Sequence, residues 1–404
     1  MLLWFRFKNF GPFREEAFFD MRAVKAYKEL PDHVMKSGNQ SAVRTAAIYG
    51  ANASGKSNLI KAVERFQEMI VSSMSDLSKE EDFVTDFSGK TALKKYYNPF
   101  RFDQRSTHEA TEFEACVFMY NKQFQYGFAY DDSVILYEWL YVTAEDGRQD
   151  IIFEREMGHG VEFGSRVDQE ECQKFISGLR EQVLLLTFFD RIKLSDGIWR
   201  DAAIAMKSLF VWDVSYIVRS SKFVSKRLAE YFSKEKYKQG IINYLKQIDV
   251  NIVDFEVDPQ DDREPKVYTV HFDDAKNRYL MPLEQESAGT IKALALYLLI
   301  GIDMDIDWTF FLDEINAHLH PLLTKFFVNR YYEANVKEQL IFTTHDVNLL
   351  DKKYMRRDQI WFVEKKGNEA SLFSLADFKV RNDASLQKNY LSGNYGAIPI
   401  LGES

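Results

Sequence analysis

"TAAIYGANASGKSNLI" (Thr45–Ile60) decides the fold. A short apolar run, Ala46-Ala47-Ile48-Tyr49, leads directly into a glycine-rich loop and then into an apolar helical pattern. Gly50-Ala51-Asn52-Ala53-Ser54-Gly55-Lys56-Ser57 fits GxxxxGK[ST], and the strand before it and helix after it are the context that spacing requires. Glycines let the backbone curl so that successive N–H groups point inward at phosphate oxygens. The positive end of the following helix adds to that field. The loop residues Gly50, Asn52, Ser54, Gly55 and Asn58 are therefore candidates to cradle phosphates. Lys56 would place a point charge on the outer phosphates and Ser57 would ligate Mg²⁺. The bland alternative is a glycine-rich turn, and the flanks argue against it.

Downstream of the loop, Leu59, Val63, Phe66 and Ile70 recur at helical spacing. Upstream, "MLLWFRFKNFGPF" alternates Leu3, Phe5 and Phe7 as a strand does and enters a turn at Gly11-Pro12; "AFFDM" (Ala17–Met21) is its expected partner. From about Thr111 the period is two. "TEFEACVFMY", "KQFQYGFAYD" and "SVILYEWLYVT" read as an antiparallel meander with turns at Asn121-Lys122 and Asp131-Asp132, and "DIIFERE" as a further strand. Residues 165–247 read mostly helical. Within them, Arg219–Gln247 is a long amphipathic stretch with eight Lys or Arg against two Glu. That charge is either a solvated helix face or a patch for DNA. "FEVDP" and "KVYTVHF" return to strand character.

Two further apolar runs end in chemistry. "WTFFLDE" has strand character over Thr309–Leu312 and ends in Asp313-Glu314. An acid at the end of a buried parallel strand beside a phosphate loop can hold Mg²⁺, which suits Asp313; Glu314 is then placed as general base for the attacking water. "LIFTTHD" repeats the pattern and presents His345 as a donor toward a γ-phosphate. "EQESAGTIKALALYLL" (Glu284–Leu299) sets four small residues, Ser287 to Thr290, before a very apolar helix. One capping residue would suffice for the helix. Small residues with free N–H groups at a helix start form an anion site. Ser287 and Gly289 therefore suit closure on the nucleotide of another subunit.

The bulk composition is that of a globular protein: 46% hydrophobic residues, 28% charged, and 33 Phe with 21 Tyr, enough aromatics for a large core. The longest apolar run near the Ser287 turn, Ala293–Ile302, is too short to cross a bilayer, and the first residues carry no secretion-signal pattern. Cys116 and Cys172 stand in unrelated contexts and suggest neither a disulfide framework nor a metal site. A cytoplasmic setting without membrane partners is expected. The net charge of -9 disfavours coating of nucleic acid but leaves room for a local basic patch.

The order of these motifs resembles the ABC-type ATPases, in which two nucleotide-binding heads sandwich two ATPs. "NFGPF" and "GANASGKSN" resemble the SMC and RecF branch. "ESAGT", "DEINAHLHPLL", "QLIFTTHD", "RRDQIWFVEK", "LADFK" and "NYGAIP" resemble the bacterial AAA/ABC-type ATPases of the Rlo and AbiL-like group. Those are relatives of the OLD family and belong typically to phage-defence operons. The resemblance implies an α/β fold: an ABC-type P-loop ATPase head with an antiparallel β-meander subdomain and a helical insert. Its expected parts are residues 1–164 with the P-loop and meander, 165–247 as the insert, and 248–404 with the signature turn, the Asp-Glu pair and the histidine. It implies ATP and Mg²⁺ as cofactors and ATPase activity. Lys56 and Ser57 would serve phosphate and Mg²⁺, Asp313 Mg²⁺, Glu314 water activation, His345 the γ-phosphate, and Ser287 and Gly289 the partner's ATP. It also implies a homodimer closed by ATP.

A separate effector is expected, a nuclease of TOPRIM or HNH type, because the residues after His345 are too few for a fused TOPRIM domain and offer no acidic metal cluster. Asn316 and His318 depart from the group's pattern of an acid and a serine at those places. Gln104 is the candidate for the lid glutamine. The alternative function is a RecF- or SMC-like clamp in DNA repair or maintenance, with Arg219–Lys246 on DNA phosphates.

Overall fold

The computed structural model describes residues 1–73, 93–212, 222–232, 235–258, 265–301, 307–333, 337–380 and 384–399. Arg219 and Ile302, the ends of two stretches discussed above, lie outside the described residues. The chain forms two compact units: Met1–Val211, Ile306–Phe311 and Lys337–Ser404 make the first, and Trp212–Asp305 with Leu312–Val336 the second.

In chain order the first unit begins with β1 (Leu2–Lys8), β2 (Ala17–Asp20), β3 (Val34–Ser37), β4 (Gln40–Val43), β5 (Thr45–Tyr49) and α1 (Lys56–Ser72). It continues with β6 (Thr111–Met119), β7 (Lys122–Tyr130), β8 (Ile135–Thr143), β9 (Gln149–Glu156) and β10 (Gly160–Phe163). Then come α2 (Gln169–Ile176), α3 (Leu185–Ile192), α4 (Ile198–Lys207) and β11 (Leu209–Trp212). The second unit holds α5 (Lys222–Phe232), α6 (Glu235–Gln247), β12 (Asp254–Asp258), β13 (Lys266–Phe272), β14 (Arg278–Pro282) and α7 (Ala288–Gly301). The chain then runs through β15 (Thr309–Leu312) and α8 (Pro321–Glu333) to β16 (Gln339–Thr343), β17 (Ile360–Lys366), β18 (Glu369–Ser374) and α9 (Leu386–Leu391).

β5 lies inside a six-stranded sheet of order β11-β15-β16-β5-β17-β18. It pairs in parallel with β16 on one side and β17 on the other. All five of its residues are buried, and β15 and β16 are buried throughout as well. This is why these strands read as unbroken apolar runs: a parallel strand covered on both faces has no polar side. The second sheet is antiparallel, with seven strands in the order β10-β9-β8-β7-β6-β1-β2. It contains the expected meander, the β1–β2 pair and the further strand β9. The α/β head architecture expected from the sequence is therefore present, with a P-loop strand in one sheet and the meander in the other.

Helix α1 packs against the antiparallel sheet. Leu59, Val63, Phe66 and Ile70, the expected stripe, are buried together with Ile60, Ala62 and Met69. Phe66 stacks on Phe128 at 5.6 Å between centroids and meets Phe5 and Phe113 edge-on. Such ring pairs add a directional term to area burial.

The turn between β6 and β7 lies one residue earlier than expected. Met119 pairs with Lys122, so Tyr120 and Asn121 form the loop, with φ of 51° and 57°. A two-residue hairpin of this hand needs positive φ at both central positions, and Asn121 tolerates that better than Lys122 would. At the next turn the Asp131 carboxylate accepts from Ser133 N (2.8 Å) and Val134 N (2.9 Å), an Asx arrangement.

The stretch 165–247 contributes α2–α4 to the first unit and α5 and α6 to the second. Within the described residues, the long basic amphipathic stretch contributes the helices α5 and α6. Each is amphipathic: Val224 and Leu228 are buried from the former, Ile241, Tyr244 and Leu245 from the latter. Gly240 lets α6 approach α7, since a Cβ there would stand 2.7 Å from the Tyr297 hydroxyl. Cys116 and Cys172 are free and buried. Among the described residues no helix is long and apolar enough to cross a membrane.

One buried amide ties the first unit's sheets together. The Gln339 side chain accepts from Leu2 N (2.5 Å) and Thr309 Oγ1 (3.1 Å) and donates to Leu2 O (3.2 Å) and Val43 O (3.1 Å). It thereby fixes β16, whose far end carries His345, to β1 and β15. Gln339→Leu leaves several buried groups unpartnered and should lower unfolding free energy by about 2–3 kcal/mol in urea titration. A loss below about 0.5 kcal/mol, the range of ordinary surface changes, would contradict this role.

Candidate functional site

The phosphate loop is built by crowding. β5 ends at Tyr49, and at Gly50 the chain passes so close to β17 that a Cβ would stand 2.4 Å from Val363 O and 2.6 Å from Ser54 Oγ. Only glycine fits there. Ala53 and Gly55 then take positive φ, 60° and 116°, which turns the chain into α1. No side chain caps that helix, and the N–H groups of Asn58 and Leu59 donate to Gly55 O (2.9 and 3.1 Å). Lys56 is 6% exposed, and its Nζ donates to Gly50 O (2.9 Å) and Ala51 O (3.0 Å). Ser54 is 3% exposed, and its Oγ has no hydrogen-bond partner. Asn52 is exposed; Ser57 and Asn58 are half-buried at the start of α1.

A tethered ammonium, an uncapped helix start and an orphaned buried hydroxyl fit a polyphosphate. Ser57 and Asp313 are hard oxygen donors of the kind Mg²⁺ takes.

The "NFGPF" motif is a buttress for this loop. A Cβ on Gly55 would lie 3.2 Å from Pro12, and one on Gly11, itself at φ +57°, would lie 3.0 Å from Asn58 Oδ1. Asn9 donates to Ser106 O (2.8 Å) and Glu109 O (2.9 Å), and so holds the turn segment that contains Gln104. The Gln104 side chain is exposed.

His345 stands exposed just past the tip of β16, on the strand next to β5. Its position is set by its neighbours. Thr344 N donates to Ile48 O (3.0 Å), and Asp346 N donates to Thr344 Oγ1 (3.0 Å). The Tyr49 hydroxyl donates to Asp346 O (3.2 Å). Asp346 is buried; one carboxylate oxygen accepts from Asn348 N (3.0 Å) and the other has no hydrogen-bond partner. The sequence reading passed over Asp346, because an acid after a histidine gives no burial signal. Tyr395 of the "NYGAIP" motif packs on Phe362 of β17, and Tyr390 of α9 packs on Phe362 and Tyr49.

The remaining candidates belong to the second unit. Ser287 is exposed at the start of α7, where its Oγ accepts from Thr290 N (3.1 Å). It is thus the helix cap, with its hydroxyl still at the surface. Gly289 is required by a close approach, since a Cβ would stand 2.9 Å from His318 O. Asp313 is half-buried and Glu314 exposed, directly after β15. Glu314 and His318 take φ of 51° and 60° without being glycine, which costs about 1–2 kcal/mol at each. Lys292, on α7, is 1% exposed and donates to Glu314 O (2.8 Å) and Ala317 O (2.7 Å). Burial pushes its ammonium down to about 8, with the Glu314 carboxylate pulling the other way. Sequence reading missed Lys292 because a lysine inside an apolar helix looks like a solvent-facing residue.

The basic helices carry partly compensated charge. Arg227 pairs with Glu230 at 3.0 Å and Lys238 with Asp254 at 2.6 Å. Of these partners only Asp254 lies outside the stretch whose charges were counted.

Comparison with known proteins adds three findings. No curated protein matches the chain. Among solved structures it is similar to the SMC head domain from Thermotoga maritima, at 14% identity over 92% of this chain and 98% of that one, with a TM-score of 0.43. A Pyrococcus furiosus Smc head domain with an extended coiled coil, bound to the C-terminal domain of ScpA, matches at 13% identity over 98% of each chain, TM-score 0.37. A family described as "AAA domain, putative AbiEii toxin, Type IV TA system" matches residues 46–160 and 180–351. These spans hold the phosphate loop, the Asp-Glu pair, the Ser287 turn and His345, and the chain belongs to that family of AAA domains.

Proposed function

We propose that this protein is an ABC-type ATPase that dimerises around ATP and regulates a separate effector in anti-phage defence. The observation that carries the reading is the phosphate loop: the uncapped start of α1, the Lys56 ammonium held at the loop by Gly50 O and Ala51 O, and the orphaned Ser54 hydroxyl. Lys56 and the backbone of the Gly50–Ser57 loop hold the phosphates. Ser57 and Asp313 hold Mg²⁺, which when bound offsets phosphate charge. Glu314 takes a proton from the attacking water and His345 donates to the γ-phosphate.

Ser287 and Gly289 act in trans. Ser287 is exposed at a helix start and is followed by the small residues Ala288, Gly289 and Thr290, which supports closure of this turn on a nucleotide held by a second copy. Binding that exists only in the closed dimer must favour the closed dimer, and hydrolysis then releases it.

The defence role and the Rlo and AbiL-like grouping rest on the sequence motifs. The description of the matching family names a toxin and a toxin–antitoxin system. The effector is a nuclease of TOPRIM or HNH type on another polypeptide.

Glu314→Gln should slow hydrolysis and trap an ATP-bound dimer, read by sedimentation with saturating ATP. Lys56→Ala should bind no ATP and stay monomeric. A Glu314→Gln protein that remains monomeric with ATP bound would reject the sandwich. The effector is tested by tagging Glu314→Gln among its native neighbouring genes and identifying what co-elutes with ATP. A stoichiometric nuclease is expected; recovery of DNA-repair proteins alone would contradict the defence reading.

A further inference from the structure

A buried ammonium that touches only backbone carbonyls does structural or positioning work, and Lys292 lies between two elements of the proposed chemistry. Its Nζ donates to Glu314 O (2.8 Å) and Ala317 O (2.7 Å) from the second turn of α7. Ala317 N donates back to Glu314 O (3.0 Å), so the loop Glu314–Ala317 closes on itself around that carbonyl. The loop is bracketed by positive-φ backbone at Glu314 and His318. Strained backbone persists only where its surroundings hold it. Two contacts from α7 bear on it: the Lys292 ammonium, and the close passage of His318 O at Gly289.

We propose that Lys292 is a positioning residue for hydrolysis: it clamps the loop that carries Glu314 to the helix that carries the Ser287 turn. The clamp has a mechanical consequence. A rigid α7 moved by contact at Ser287–Thr290 carries Lys292 with it, and Lys292 moves the Glu314 backbone. Engagement of the turn by a second copy's nucleotide is thereby reported to the base of the engaging subunit. The role as a link to catalysis rests on reading Glu314 as the base; the clamp on the loop does not.

The test uses the full chain with Lys292→Met, which keeps the side-chain length and removes the donors, and Lys292→Arg, which restores them. Hydrogen exchange over residues 313–318 reads the loop without reference to activity. Lys292→Met should exchange faster there and lose about a hundredfold in kcat, with ATP affinity kept. Lys292→Arg should recover part of both. In a Glu314→Gln background Lys292→Met should cost no further kcat, because the two act as one unit.

Unchanged loop exchange overturns the clamp. Faster exchange with intact kcat overturns the positioning role, as does joint loss of ATP affinity and kcat. A wild-type protein that hydrolyses no ATP would instead overturn the reading of Glu314, while the exchange measurement would still decide whether Lys292 holds the loop.

Discussion

The packing of Val363 O against the α-carbon of Gly50 is the constraint on which the first unit's site depends. It allows no side chain at the end of β5, and it forces the chain to leave the sheet as bare backbone. Everything that follows at the loop uses that freedom. Ala53 and Gly55 turn through positive φ, α1 starts without a cap, and the Lys56 side chain folds back onto the loop carbonyls. β5 can present this loop because it is buried on both faces and flanked in parallel by β16 and β17. Parallel strands point their C-terminal ends the same way, so the tip of β16 and His345 lie on the loop's side of the sheet.

The second unit solves a different problem, how to keep an acidic residue in a strained conformation after a strand. Glu314 at φ 51° is held by α7 through Lys292, and the start of α7 carries the exposed Ser287. Under the proposed function, this helix–loop assembly carries both the base and the turn that closes on the partner's nucleotide. That logic does not depend on how large the motion is. It depends on the loop having one favoured arrangement when the clamp is made.

Much of this was legible in the sequence, for physical reasons that differ by element. The phosphate loop was legible because glycine is the only answer to the crowding at Gly50, and because the buried strand before it has no polar face. The meander was legible from period-two aromatics such as Phe113, Phe128 and Tyr130, whose rings are now in one cluster with Phe66. The β6–β7 turn was misplaced by one residue, because Tyr120 does not look like a turn residue although the register gives it φ 51°. Lys292, Asp346 and Gln339 were invisible. Each is a polar residue buried by tertiary contacts with distant segments, and local pattern assigns such residues to the surface. The charge count along Arg219–Gln247 could not include Asp254, which the fold brings to Lys238 from outside that stretch.

In the proposed dimer one ATP is served by the phosphate loop of one copy and the Ser287 turn of another. Mixing two defective proteins tests it directly. Lys56→Ala removes the loop's cation and leaves the turn; Ser287→Arg blocks the turn and leaves the loop. Each should be inactive alone. Mixed in equal amounts, only a dimer of one of each holds an intact composite site, one where the wild type has two, so ATPase activity should reappear in the mixture, at no more than about half of the wild-type level. A mixture as inactive as its components would contradict the shared site and place the whole chemistry within a single chain.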